Sequence, residues 1–174
     1  MKKLLALLPL LLVIGCGQPT SAIQGEVLSC ATIAVTEKAS PKSAIECLDG
    51  SVGVDVTAIK GPAIINVWGS WCEPCKEEIP YFAEYNADKS DEVLLLGVDV
   101  EEKSPADGRK FVREYGITWP NLYDGDGSTR KYFGMGVPVT WFIGEDGTVV
   151  HKKIGVVKSA DEIRSLAKKY LGVS

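Results

Sequence analysis

WGSWCEPCKEEIP, residues 68–80, sets two cysteines, Cys72 and Cys75, on either side of Glu73 and Pro74. Before it, Ala63-Ile64-Ile65-Asn66-Val67 is a near-continuous apolar run of strand length, of the kind buried on both faces of a sheet. After it, residues 73–88 can form a helix. The CxxC therefore sits where a strand hands over to a helix, and backbone N–H groups and the helix dipole there stabilise a thiolate on Cys72. Cys72 is expected to attack and leave, and Cys75, one turn in and more buried, to resolve the mixed disulfide. Half a zinc site looks the same, but zinc needs two more ligands, and the chain has a single His with Cys30 and Cys47 outside any CxxC spacing. No metal and no other cofactor is expected.

Outward from this stretch, apolar runs alternate with helical patterns. Residues 93–100 (VLLLGVDV) read as a second buried strand. Ser104 as N-cap with Pro105 at the first helical position opens a helix to Tyr115 that Gly116 stops. Residues 140–143 and 148–152 flank Gly144-Glu145-Asp146-Gly147, a hairpin signal. Ser159 with Glu162 three residues on is a capping box for a last helix ending near Tyr170, before Gly172. The order βαβα, a short helix, then ββα predicts an α/β fold with a central mixed sheet flanked by helices. Residues 45–48 and 52–56 around Asp49-Gly50 suggest an added N-terminal β-hairpin, and residues 55–61 a short turn.

The residues 66–80 (NVWGSWCEPCKEEIP), together with 136–143 (GVPVTWFI), resemble the two signatures of thioredoxin-fold proteins of the TlpA/ResA/CcmG branch, and the resemblance spans about residues 44–172. It implies thiol:disulfide exchange. It also implies a cis proline at Pro138 beside the CxxC, with the backbone of Val137 pairing with a substrate peptide. Trp71, next to Cys72, is the aromatic expected to touch substrate, while Trp68 packs. Where cytosolic thioredoxin has a buried aspartate this chain has Asn66, which cannot accept the Cys75 proton. Glu78, one helical turn beyond Cys75, matches a functional glutamate of the ResA-like branch and is expected to take that role; the alternative is a solvated helix face, as for Glu77 and Lys76. Pro80 is expected to kink the helix.

The dipeptide between the cysteines bears on direction. Pro74 removes an N–H that could face the Cys72 thiolate, and Glu73 adds like charge beside it. Both weaken thiolate stabilisation, which makes the potential more negative and the dithiol a reductant. An oxidase that introduces disulfides would use the same residues with electrons reversed. A peroxidase needs an arginine near its cysteine, and Lys76 is the nearby cation; a module that only docks partners would not need the cysteines.

The amino terminus indicates the compartment. Lys2 and Lys3 precede an apolar run from Leu4 to Ile14, too short to span a bilayer, and Val13-Ile14-Gly15-Cys16 resembles a bacterial lipoprotein processing motif. Residues 1–15 are thus a signal peptide, Cys16 the lipidated residue, 16–26 a tether and 27–174 the thioredoxin-like domain; an uncleaved anchor or ordinary secretory signal is the alternative. Five cysteines minus Cys16 and the CxxC pair leave Cys30 and Cys47, which in an oxidising space pair as a structural disulfide worth about 3 kcal/mol, against a second redox relay or free thiols. A net charge of −4 with no basic stripe argues against nucleic acid.

The expected protein is a monomer anchored by lipid on the outer face of the cytoplasmic membrane. The resemblance implies a membrane electron donor of the CcdA/DsbD type and disulfide-bearing exported substrates, apocytochrome c among them. Asp124-Gly125-Asp126-Gly127 has the start of a calcium loop without its later glutamate and reads as a turn; His151 reads as a surface residue.

Overall fold

Every residue from Ala63 to Trp68 is buried, which only a strand covered on both faces can achieve. The computed structural model describes residues 24–89 and 92–173; the signal peptide, Cys16 and the tether up to residue 23 lie outside the described residues. In chain order the elements are β1 (Ala44–Cys47), β2 (Val54–Asp55), β3 (Ala63–Trp68), α1 (Glu73–Lys89), β4 (Leu94–Val100), α2 (Pro105–Glu114), β5 (Asn121–Asp124), α3 (Arg130–Phe133), β6 (Val139–Ile143), β7 (Val149–Ile154) and α4 (Ala160–Leu171). The described strands form one sheet in the order β2-β1-β5-β4-β3-β6-β7. β3, β4 and β5 run parallel, and β1, β6 and β7 join antiparallel.

Alternation along the strands sorts the core into two layers. Ile64, Trp68, Leu95 and Phe142 face α1, α2 and α4, meeting Ile79 and Phe82, Phe111 and Val112, and Ile163. Ile65, Val67, Leu96, Val98 and Trp141 face the other way, where Phe133 of α3 and the amino-terminal residues Cys30, Val56 and Ile59 cover them. Each fully buried Ile or Phe contributes about 1.5–3 kcal/mol. Trp68 stacks on Phe111 with ring centroids 4.7 Å apart, tying the strand before the CxxC to α2.

The expected hairpin is present: Ala44 pairs with Asp55 and Ile45 with Val54. β5 is a strand that the sequence reading did not foresee. NLYD is short, follows Pro120 and does not alternate; it pairs because β4 and β1 offer edges on both sides and Asn121 accepts a hydrogen bond from the Trp68 indole N–H at 3.1 Å. Ordered packing also starts earlier than the tether boundary at residue 26, since the N–H groups of Gly25 and Glu26 donate to the carbonyls of Arg113 and Ile117.

Caps account for the helix ends. The Ser159 hydroxyl accepts from the Glu162 N–H at 3.1 Å and Gly172 closes α4 in a left-handed conformation, φ 73°. Ser104 occupies the N-cap of α2, but its hydroxyl donates to the Asp107 carboxylate instead of receiving a backbone N–H. Pro80 lies inside α1, which continues past it.

Candidate functional site

Leaving β3, the chain makes one tight turn before α1. The Cys72 N–H donates to the Gly69 carbonyl, and Gly69 lies so close under the Trp71 indole that a Cβ there would sit 2.6 Å from Nε1. Trp71 Nε1 donates to the Val100 carbonyl at 3.2 Å, which fixes a ring that remains 52% exposed. The Ser70 N–H donates to a carboxylate oxygen of Glu102.

Cys72 and Cys75 are joined in a disulfide, with Cys72 4% exposed and Cys75 sealed at 0%. Cys72 occupies the N-cap of α1, the position whose side chain receives N–H groups from the second or third helical residue. The second is Pro74, which has none. The third is Cys75, whose N–H reaches the Cys72 sulfur at 3.2 Å while also serving the Cys72 carbonyl at 3.2 Å. In this disulfide form a single shared N–H donor thus reaches the Cys72 sulfur. The Glu73 charge bears on it less than the sequence implied, because Lys76 forms an ion pair with Glu73.

One turn beyond Cys75, Glu78 is wholly buried, which sets aside a solvated helix face. Asn66 Nδ2 donates to its Oε1 at 2.7 Å and the Val157 N–H to its Oε2 at 2.8 Å. Burial pushes its pKa up to about 7; the bonds from Val157 and Asn66 and the charge of Lys153 pull the other way without cancelling the desolvation. The result is a carboxyl that can hold or release a proton near neutrality, inside the helix that carries the dithiol.

Across the site, the Val137–Pro138 peptide bond is cis, Pro138 is buried and Val137 is half-buried. Among the described residues the N–H and C=O of Val137 take no hydrogen bond, whereas the Pro138 carbonyl accepts from Gly155. A shallow groove between Trp71 and Val137 is lined by Val100, Phe133 and the highly exposed Met135. Its polar wall is the Arg130–Glu101 ion pair, so Lys76 is not the only cation close to this region, although the Arg130 guanidinium is committed to Glu101.

The remaining candidates lie elsewhere. Cys30 and Cys47 are bonded to each other, each 1% exposed, and tie the amino-terminal segment to β1. Asp124 caps the following turn by accepting from the N–H groups of Ser128 and Thr129. Among the described residues no group of three or more His, Cys, Asp or Glu is placed to hold a metal ion. His151 lies on the edge strand β7, partly exposed, with its ring stacked on Tyr170 at 4.0 Å and tilted against Phe142 at 5.7 Å. Burial and the neighbouring Lys169 and Lys153 lower its pKa.

Sequence reading missed Glu102, Arg130, Met135 and the Val157 N–H, which reach the site from the start of α3 and from loops distant in sequence and carry no motif. It also passed over Asp99, although an acid inside the apolar run of β4 was a visible anomaly.

Comparison with known proteins agrees with this geometry. Residues 37–152 match the model of the AhpC/TSA family. A protein of Bacillus thuringiensis (strain Al Hakam) named thiol-disulfide oxidoreductase ResA is 32% identical over 121 residues, covering 68% of this chain and 69% of its own. DsbF of Mycobacterium tuberculosis superposes with a TM-score of 0.65 at 25% identity, over 75% of this chain and 98% of that one. StoA from Bacillus subtilis superposes with a TM-score of 0.60 at 24% identity, over 76% and 98%. The chain belongs to the thioredoxin-like AhpC/TSA family and is a thiol-disulfide oxidoreductase homologous to ResA.

Proposed function

We propose that the protein is a membrane-tethered extracytoplasmic reductant of disulfides in exported proteins, with Cys72 as nucleophile, Cys75 as resolving thiol and Glu78 as proton acceptor. The observation that carries the direction is the cradle of Cys72. Pro74 at the second helical position leaves the Cys75 N–H as the donor reaching the sulfur, so the reduced form gains little stabilisation.

The chemistry balances without a cofactor. The Cys72 thiolate attacks one sulfur of the substrate disulfide, forming a mixed disulfide and expelling a substrate thiolate. Cys75 gives its proton to Glu78, attacks Cys72 and expels the second substrate thiolate, leaving the Cys72–Cys75 disulfide; two electrons have passed to substrate. Val137 offers its unpaired backbone groups to the substrate strand beside Pro138, and the fixed, exposed Trp71 ring packs against it.

The amino-terminal reading completes the proposal: signal peptide 1–15, lipid on Cys16, a short tether, and one domain acting as a monomer. The roughly eight tether residues ahead of Gly25 reach at most ~28 Å, which keeps the dithiol near the membrane and suits a membrane electron donor of the CcdA/DsbD type. Cys30–Cys47, buried and far from any CxxC spacing, is structural, and disulfide-bearing exported proteins such as apocytochrome c are the substrate class. Cys75→Ala tests the scheme, because it should accumulate mixed disulfides through Cys72 whose partners are exported proteins. Absence of Cys72-linked species under conditions that trap other thiol oxidoreductases would refute it.

A further inference from the structure

Asp99 lies fully buried in β4. Among the described residues neither of its carboxylate oxygens receives a hydrogen bond. Its strand neighbours are Trp68 on β3 and Tyr123 on β5, and the Tyr123 hydroxyl donates to the Glu102 carbonyl at 3.4 Å. Over it lies Gly108 of α2, so close that a Cβ there would sit 1.8 Å from Asp99 Oδ2. The charges that act on it, Glu102 and Asp107, are both acidic, and both reach it from the segment that follows β4.

A buried carboxylate with no donor and only anions for company is strongly disfavoured. Protonation removes that cost and turns one carboxyl oxygen into a donor. The acceptor is at hand: Glu102, 7% exposed, stands against it as a hydrogen-bonding neighbour of the protonated form. Glu102 is engaged on its other side by the Ser70 N–H. Glu101, next to Glu102, holds a left-handed backbone, φ 59°; Glu102 binds the Ser70 N–H while Glu101 pairs with Arg130.

We propose that Asp99 is a positioning residue of the exchange site: it stays protonated at neutral pH, donates its proton as a hydrogen bond to Glu102, and through the Glu102–Ser70 bond fixes the loop that carries Trp71 and Cys72. Burial first and Glu102 second push the Asp99 pKa up to about 9. Above that range two buried anions face each other, the link breaks and the loop loosens. The site therefore carries an alkaline transition that belongs to neither cysteine.

The test uses the full chain in its oxidised form, in which neither CxxC sulfur titrates, so its outcome is separate from that of the reductant reading. The Asp99 side-chain carboxyl and the Ser70 amide are followed by NMR from pH 5 to 10. The Asp99 signal should stay in its protonated position through pH 7 and then move together with the Ser70 amide. Asp99→Asn, whose amide can donate to Glu102, should keep the neutral-pH Ser70 shift and abolish the alkaline one. Asp99→Leu should displace Ser70 at every pH and, once reduced, slow disulfide exchange roughly tenfold. An Asp99 carboxyl that titrates below pH 6, a Ser70 amide that does not follow it, or equal displacement of Ser70 in the Asn and Leu variants would overturn the proposal; the wild-type titration suffices if Asp99→Leu does not fold.

Discussion

Glu78→Gln gives the sharpest quantitative expectation. A carboxyl held near pKa 7 in the folded chain returns to about 4.5 when unfolded, a difference of 2.5 units, or about 3 kcal/mol at 1.36 kcal/mol per unit. The sign follows from which state keeps the proton. Between pH 4.5 and 7 the unfolded chain releases it first, so the contribution is fully present below pH 4.5 and is lost as pH rises through 7. Glutamine cannot titrate and has no such loss. It forfeits something fixed, because its NH2 cannot accept from the Val157 N–H, a cost of about 1–3 kcal/mol that does not vary with pH. The difference in stability between the two proteins should thus shift by about 3 kcal/mol in favour of the variant from pH 4 to pH 8, equivalent to ~6–12 °C in relative Tm for a domain of this size. The assay is denaturant unfolding of both oxidised proteins across that range. Asp99 also titrates in part of this window but is common to both proteins and cancels. Parallel stability curves would refute the assignment of a raised pKa to Glu78.

Other expectations concern the dithiol and its surroundings. Pro74→Ala adds an N–H at the second helical position facing the Cys72 sulfur; the Cys72 pKa should fall by up to about one unit and the potential rise by ~30 mV, measured by thiolate absorbance and redox equilibration. Cys30→Ser with Cys47→Ser should lower stability by about 3 kcal/mol in denaturant while leaving exchange at 25 °C intact, whereas a relay role would abolish turnover. Val137→Pro removes the unpaired backbone N–H and should raise KM for a peptide disulfide roughly tenfold with little change in the rate of exchange with a small dithiol.

Legibility in the sequence followed the range of the forces involved. Continuous apolar runs made β3 and β4 plain, and Ser159 with Glu162 marked α4. β5 escaped because NLYD has no intrinsic strand signal and is held by neighbours on both sides and by Trp68. At the site, spacing alone placed Cys72 at the start of α1 and Cys75 and Glu78 one turn apart on it, but the burial of Glu78 by Asn66 and Val157 is a tertiary fact. Glu102 and Asp99 show the same limit: no spacing rule links residue 70 to residue 102, and only the packed sheet brings them together.

The central claim is that a weakly cradled Cys72 makes this pair an electron donor, and the equilibrium reduction potential of Cys72–Cys75 tests it most directly. Equilibration of the full chain against defined glutathione or dithiothreitol couples should give a value at or below about −250 mV, near that of thioredoxin. A value at or above about −180 mV, toward the ~−120 mV of a strong oxidant, would contradict the account.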